Sequence, residues 1–280
     1  MNERKRMSNV TVKTPWAEHM GDLPLHIEYF QGTMFDMVES IAERYPQNTA
    51  FDFFGNATTY AELAEQTVRC AKALRAIGVR ESDRVTIALP NCPQAIFIFY
   101  AVNLVGAVAN MIHPLSSEKE IEFYLNESES AAAITLVLIY HKFESVRKNT
   151  KVADIIIAGV KDALSPLQKV GYMLTGDRKE TKIPKNAPVI RWKDFMRLSR
   201  SCSDNFRIQR KAEDPAVILY SGGTTGTTKG IVLSNLNFNA LAQQVITANP
   251  MFRPGDKMLA AKPLFHGFGL GVCIHTMLSH

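Results

Sequence analysis

Tyr220-Ser221-Gly222-Gly223-Thr224-Thr225-Gly226-Thr227-Thr228-Lys229-Gly230 places four glycines, five Ser/Thr hydroxyls and one lysine in eleven residues. Glycine lets a backbone turn tightly and brings N–H groups close to an anion. Hydroxyls add donors, and lysine supplies a point charge for phosphate oxygens. None of these residues builds an apolar core. Strand-forming runs flank the stretch, Val217-Ile218-Leu219-Tyr220 before it and Gly230-Ile231-Val232-Leu233 after it. A flexible Gly/Ser/Thr linker is not bracketed in this way. The pattern predicts a phosphate-binding loop held between two strands.

The common P-loop has Gly-Lys-Ser/Thr opening a helix. Here Lys229 follows Thr228, precedes Gly230 and enters a second strand, so a different kind of nucleotide site is implied. Upstream, strand and helix alternate: strand Arg84–Leu89, helix Pro93–Val105, strand Ala107–Met111, helix Ser117–Ser128, strand Ala131–Leu138, helix Phe143–Asn149 and strand Asp154–Ala158. Ser117 with Glu120 has capping-box spacing. Such alternation predicts α/β layers around a mostly parallel sheet. Before it come an irregular arm of about thirty residues, a helix from Thr33 to Arg44, a hairpin (Ala50–Phe54 and Ala57–Tyr60, turning at Gly55-Asn56) and a helix from Tyr60 to Ile77 closed by Gly78. Lys161–Asn205 is polar and poorly periodic, and is expected to be a long connection with local helix. Beyond the glycine-rich stretch, Ser234 caps a helix with Leu236, Leu241 and Val245, Lys257–Ala261 reads as strand, and Gly267 to the end as helix.

The 220–230 run resembles the signature loop of the adenylate-forming superfamily, which includes acyl-CoA synthetases, firefly-type luciferases and nonribosomal-peptide adenylation domains. Its pattern is roughly Tyr-Thr-Ser-Gly-Thr-Thr-Gly-x-Pro-Lys-Gly. Gly222 replaces the usual Ser and Thr228 the usual Pro, departures similar to those of fatty-acyl-CoA ligases. Losing Pro removes a fixed φ from the loop. Other stretches match in the family's order: Thr59-Tyr60-Ala61-Glu62-Leu63, then Gly78 to Val85 (with Ser82 in place of a glycine), Leu89-Pro90-Asn91-Cys92-Pro93, Gly106 to Leu115 (with His113 in place of Asn), and Lys262-Pro263-Leu264-Phe265-His266-Gly267-Phe268-Gly269-Leu270. The resemblance covers nearly the whole chain, least clearly Val137–Asn205. Thr175-Gly176-Asp177 imitates the family's ribose-binding triplet but precedes the phosphate loop, so it reads as accidental.

The resemblance implies a reaction joining a carboxylate to ATP, giving an acyl-adenylate and pyrophosphate, followed by acyl transfer to the thiol of CoA. It places Ser221, Gly222, Gly223, Thr224, Thr225, Gly226, Thr227, Thr228 and Lys229 around the ATP phosphates, with Mg²⁺ shared by ATP oxygens and no protein metal site. Thr225 and Lys229 are the catalytic candidates, Lys229 assisting departure of pyrophosphate. His266, Gly267 and Gly269 would lie at the acyl pocket, His266 as a lining residue, because a carboxylate needs no general base at neutral pH. His275 and His280 have no comparable context. Family members continue for a couple of hundred residues or more. The chain is therefore expected to be the incomplete N-terminal part (1–280) of the large domain, with negligible turnover alone. Alternatives remain an adenylating enzyme for aryl or amino acids, and a non-catalytic nucleotide- or acyl-binding module. No aspartate in Gly267–Val272 matches the α-amine partner of amino-acid adenylation domains, which leans toward an uncharged acid.

At 280 residues a chain buries about 75% of its unfolded surface. Cys70, Cys92, Cys202 and Cys273 are scattered, with no CxxC pair or His cluster, as for reduced thiols in a cytoplasmic protein and against a zinc site. Residues 95–112 form an uncharged run interrupted by Asn103, Gly106 and Asn110, which reads as buried core rather than a membrane span. The net charge is +5, with eight Lys/Arg against three Asp/Glu in Lys161–Lys193 and four against one in Met1–Lys13. Solvated loops are the leading reading of both basic segments, a weak peripheral contact with anionic lipid the lesser one. No motif or aromatic interleaving supports nucleic-acid binding.

Overall fold

The computed structural model describes residues 15–164, 168–169, 183–184, 187–203, 205–221 and 228–280. The alternating segments become β3 (Arg84–Ala88), α3 (Pro93–Leu104), β4 (Val108–Met111), α4 (Glu118–Glu127), β5 (Ala132–Leu136), α5 (Tyr140–Val146) and β6 (Asp154–Ala158). Before them lie α1 (Met34–Arg44), the hairpin β1 (Thr49–Phe53) and β2 (Asn56–Thr59), and α2 (Tyr60–Ala76). After them come β7 (Ile190–Arg191), α6 (Trp192–Leu198), β8 (Pro215–Ser221), β9 (Lys229–Ser234), α7 (Asn235–Ala248) and a π-helical segment, Phe268–Thr276.

Seven strands pair in the order β7-β6-β5-β3-β4-β8-β9. Every pair is parallel except β8 with β9. Side chains alternate between faces at period two. Val85, Ile87, Ile134, Ile156 and Val217 join α1, α2, α3, α6 and α7 in one core. Ala88, Ile112, Ala133, Ile155 and Ile157 face α4 and α5 in the other. A sheet covered on both faces explains the continuous hydrophobic runs of its central strands.

Local chemistry fixes the element ends. Thr33, Thr59, Ser117 and Ser234 each cap a helix through a hydroxyl that accepts the N–H three residues on, with the reciprocal side chain completing the box. Gly78 follows α2 with φ +91°, the left-handed stop that glycine supplies. The hairpin turn lies at Phe54-Gly55, one residue before the expected Gly55-Asn56, with φ of 52° and 84°. Both central residues of a type I′ turn need positive φ, and Phe54 bears the strain of being non-glycine. The 95–112 run divides into α3 and β4, both buried. Among the described residues no helix is long and apolar enough to cross a membrane.

Two expectations are corrected. Lys257–Ala261 is not a strand: among the described residues no neighbouring strand pairs with it, and Leu259 is 86% exposed. Strand-like composition without a partner does not make a strand. Within Lys161–Asn205, β7 extends the sheet and α6 buries Trp192, Phe195 and Met196, so the end of this stretch belongs to the core. Thr175-Gly176-Asp177 lies outside the described residues.

Candidate functional site

Parallel strands β3, β4 and β8 end on one edge of the sheet, and the loops leaving those ends meet there. Asn91, just beyond β3, holds the Lys262–Leu264 segment from both ends of its amide. Its Nδ2 donates to Ala260 O at 2.7 Å and Lys262 O at 2.8 Å, and its Oδ1 accepts from Leu264 N at 2.9 Å. His113, beyond β4, packs its ring 4.5 Å from that of Phe265 and accepts the Leu115 N–H at Nδ1, 2.9 Å away. Three stretches far apart in sequence thus form one surface.

His266 is placed by its backbone. Its N–H donates to Pro263 O at 3.1 Å, and its carbonyl accepts from Leu270 N at 2.8 Å. The imidazole is exposed beside the Phe265 ring, 5.0 Å between centroids. The two neighbouring glycines differ. A Cβ on Gly267 would meet only Leu219 Cδ1, at 3.5 Å, whereas one on Gly269 would stand 2.0 Å from Pro263 O and 2.8 Å from Lys262 O. Gly267 is open and beside the end of β8. Gly269 is buried, the room of its missing side chain taken by backbone.

The glycine-rich stretch is framed by β8 and β9, whose antiparallel register sets Ser221 opposite Lys229. Lys229 is exposed, and Thr228 precedes it at the same root. Gly222, Gly223, Thr224, Thr225, Gly226 and Thr227 lie outside the described residues. Gly230 fits tightly, since a Cβ there would come within 3.3 Å of both Ile218 and Tyr220.

The loop's root is anchored from below. The Tyr220 ring lies 4.3 Å from Tyr124, and burial drives its phenol well above the ordinary range. Beside it is a buried polar cluster: Asn110 Nδ2 donates to Thr86 Oγ1 (2.8 Å) and Ser128 Oγ (3.0 Å), and Ser130 Oγ bonds both hydroxyls. Hydrogen-bonded polar groups inside a core fix geometry where unpaired ones would be costly.

His275, without a role from sequence, is buried. Its Nδ1 is 3.2 Å from Tyr100 Oη and its Nε2 3.0 Å from Asn239 Oδ1, and burial lowers its pKa to about 3. Asn239 in turn donates to Gly32 O at 3.0 Å, joining the N-terminal arm, α7 and the π-helical segment. Its only sequence signal was a histidine within an apolar helix. Among the described residues, no group of three or more His, Cys, Asp or Glu could hold a metal ion.

A family profile described as AMP-binding enzyme matches residues 38–280. The long-chain-fatty-acid–CoA ligase of Bacillus subtilis (strain 168) is 30% identical over 261 residues, covering 91% of this chain and 46% of the relative. The ligase of the same name from Salmonella typhimurium is 29% identical over 270 residues, covering 92% and 47%. The crystal structure of a long-chain-fatty-acid-CoA ligase from Archaeoglobus fulgidus superposes with a TM-score of 0.71 at 24% identity, over 90% of this chain and 46% of that one, and shows the shared fold. The chain spans about half the length of the curated relatives it matches.

Proposed function

Because the chain belongs to the AMP-binding enzyme family, we propose that it supplies the phosphate-binding and acyl-facing part of an ATP-dependent fatty-acyl-CoA ligase. The reaction activates a fatty acid as its adenylate and transfers the acyl group to CoA. One observation supports this above others: the β8–β9 frame, with Lys229 opposite Ser221, reaches the same sheet edge as the His266 segment, which Gly267 brings against Leu219.

The chemical difficulty is charge, since a carboxylate must attack the α-phosphate of a polyanion. Backbone N–H groups, hydroxyls and a lysine at the triphosphate offset that repulsion and favour the spread of charge in the transition state. The described residues fit such a ligand: a lysine free to turn outward stands at the root of a glycine-rich reversal. Ser221, Thr228 and Lys229 would flank the phosphates, and Gly222, Gly223, Thr224, Thr225, Gly226 and Thr227 would surround them. Thr225 donates a hydroxyl, and Lys229 orients the departing pyrophosphate. Mg²⁺ bound with ATP would supply further charge neutralisation at the phosphates flanked by Ser221, Thr228 and Lys229. His266 and Gly267 line the acyl side, and Gly269 lets the helix seat against Pro263.

Residues 1–280 would then be the incomplete large domain, with the rest of the site in the half of the relatives' length that this chain does not span. The test is ATP–pyrophosphate exchange in a complete enzyme bearing this sequence, driven by fatty acids. Lys229→Ala and Thr225→Ala should each lower exchange by about a hundredfold. Exchange unchanged in both variants would remove the loop from the mechanism.

A further inference from the structure

The 257–264 segment lies at the sheet edge without joining a ladder. Among the described residues, its backbone makes no hydrogen bond to the backbone of another element, and Lys257, Leu259, Ala261 and Lys262 are exposed. Chain of this kind keeps its conformational freedom unless side chains hold it. Here they do. Leu264 is buried, the Phe265 ring lies 4.5 Å from that of His113, and Asn91 supplies hydrogen bonds across 169 to 173 residues. The Lys262 N–H meets the Cys273 sulfur, a tie to the π-helical segment and not to the sheet.

Asn91 has a stiff mount. It lies between Pro90 and Pro93, whose rings fix φ, and Cys92 after it is the N-cap of α3. A primary amide has two N–H donors and one acceptor oxygen. Both donors reach carbonyls, Ala260 O and Lys262 O, and the oxygen accepts the Leu264 N–H. These opposite roles fix the amide's orientation, since a flip would set its oxygen against two carbonyls. Lys262 and Leu264 bracket Pro263, and Pro263 O accepts the His266 N–H at 3.1 Å. The amide therefore reaches His266 through a single intervening residue.

We propose that Asn91 is a positioning residue for the acid. Resting on the ligase reading above, it acts through Pro263 to hold the His266–Gly267 wall at the distance from the β8–β9 frame that a carboxylate needs to reach the α-phosphate. Misplacing reacting groups by about 1 Å can slow a reaction about a hundredfold. The β8–β9 frame has its own anchor in the Tyr220–Tyr124 contact, so losing the clamp acts on the acid and spares ATP.

The assay is ATP–pyrophosphate exchange driven by palmitate, in a complete enzyme bearing this sequence. Asn91→Asp is nearly isosteric, keeps the acceptor for the Leu264 N–H and turns a carboxylate toward two carbonyl oxygens. It should raise KM for palmitate about tenfold, as expected for lost hydrogen bonds, with KM for ATP within about twofold. A clamp that serves stability alone would lower the amount of active enzyme and leave both KM values unchanged. Hydrogen exchange on the 280-residue chain reads the clamp itself: in Asn91→Ala the Leu264 N–H should exchange at least about tenfold faster. If Asn91→Asp does not fold, Asn91→Ala carries the same KM comparison. The positioning role is overturned if both KM values rise together, or if both stay unchanged while Lys229→Ala still slows exchange. Exchange that is also insensitive to Lys229→Ala overturns the ligase reading, and the proposal with it.

Discussion

Gly269→Ala tests how closely the backbone of the π-helical segment meets the Pro263 turn. The new methyl carbon would lie 2.0 Å from Pro263 O, 2.6 Å from Pro263 C and 2.8 Å from Lys262 O. Ordinary contact needs about 3.5 Å, so one segment must move by more than ~1 Å. These are backbone atoms and have no rotamer by which to yield. The turn cannot follow freely, because Asn91 holds Lys262 O and Leu264 N at 2.8 and 2.9 Å, and a shift of that size breaks both bonds. Two lost hydrogen bonds at about 1 kcal/mol each, with overpacking strain of about 1–3 kcal/mol, give a cost of about 3–5 kcal/mol. Most small proteins have only about 5–15 kcal/mol in total. Gly267→Ala is the internal control: its Cβ has 3.5 Å to Leu219 Cδ1, and stability should stay within about 0.5 kcal/mol. Urea denaturation of both variants reads the difference. If Gly269→Ala unfolds within 1 kcal/mol of the parent, the close approach does not constrain this position.

The remaining predictions concern stability. Burial holds His275 neutral, with its pKa lowered to about 3, so below about pH 6.5 the unfolded chain takes up a proton that the folded one refuses. This contribution to stability is fully present above pH 6.5 and is lost as pH falls toward 3. Relative to His275→Gln, the parent should lose about 2 kcal/mol between pH 6.5 and 5; parallel urea midpoints across that range would refute a buried neutral histidine. Ser82 sits at φ +63° with its N–H donated to Gly106 O at 2.9 Å. Ser82→Gly should raise stability by about 0.5 kcal/mol, the strain relieved exceeding the entropy glycine loses, as read by the thermal midpoint. Ser117→Ala removes the hydroxyl that accepts from Glu120 N at 3.3 Å and should cost about 1 kcal/mol. Because Ser117 groups hold the Glu120 carboxyl below its usual range, an NMR titration should also show that carboxyl moving upward.

Much of the architecture was legible in the sequence because its causes are local. Capping hydroxyls such as Ser117, the glycine stop after α2 and the alternation of strands with helices depend on neighbours a few residues away, and they appeared where their spacing put them. The unmatched segments depend on distant partners. Lys257–Ala261 has strand composition but no pairing edge, and α6 lies in a basic, weakly periodic stretch until the sheet supplies a face for Trp192 and Phe195.

The candidate site divides in the same way. The residue types of the 220–230 stretch, with strand formers on either side, were sufficient to predict a chain reversal between two strands, which β8 and β9 form. Sequence could also mark Asn91, His113 and the Pro263–Gly269 run as motifs in order. It could not say that Asn91 clamps Lys262 and Leu264, that His113 meets Phe265, or that Gly269 is filled by backbone while Gly267 is open. The Asn91 and His113 contacts cross about 150 residues or more of chain, the Gly269 approach depends on how the chain folds back on Pro263, and hydrogen bonds and close contacts act over a few ångströms. Only the folded sheet, by ending β3, β4 and β8 on one edge, brings these atoms within that range.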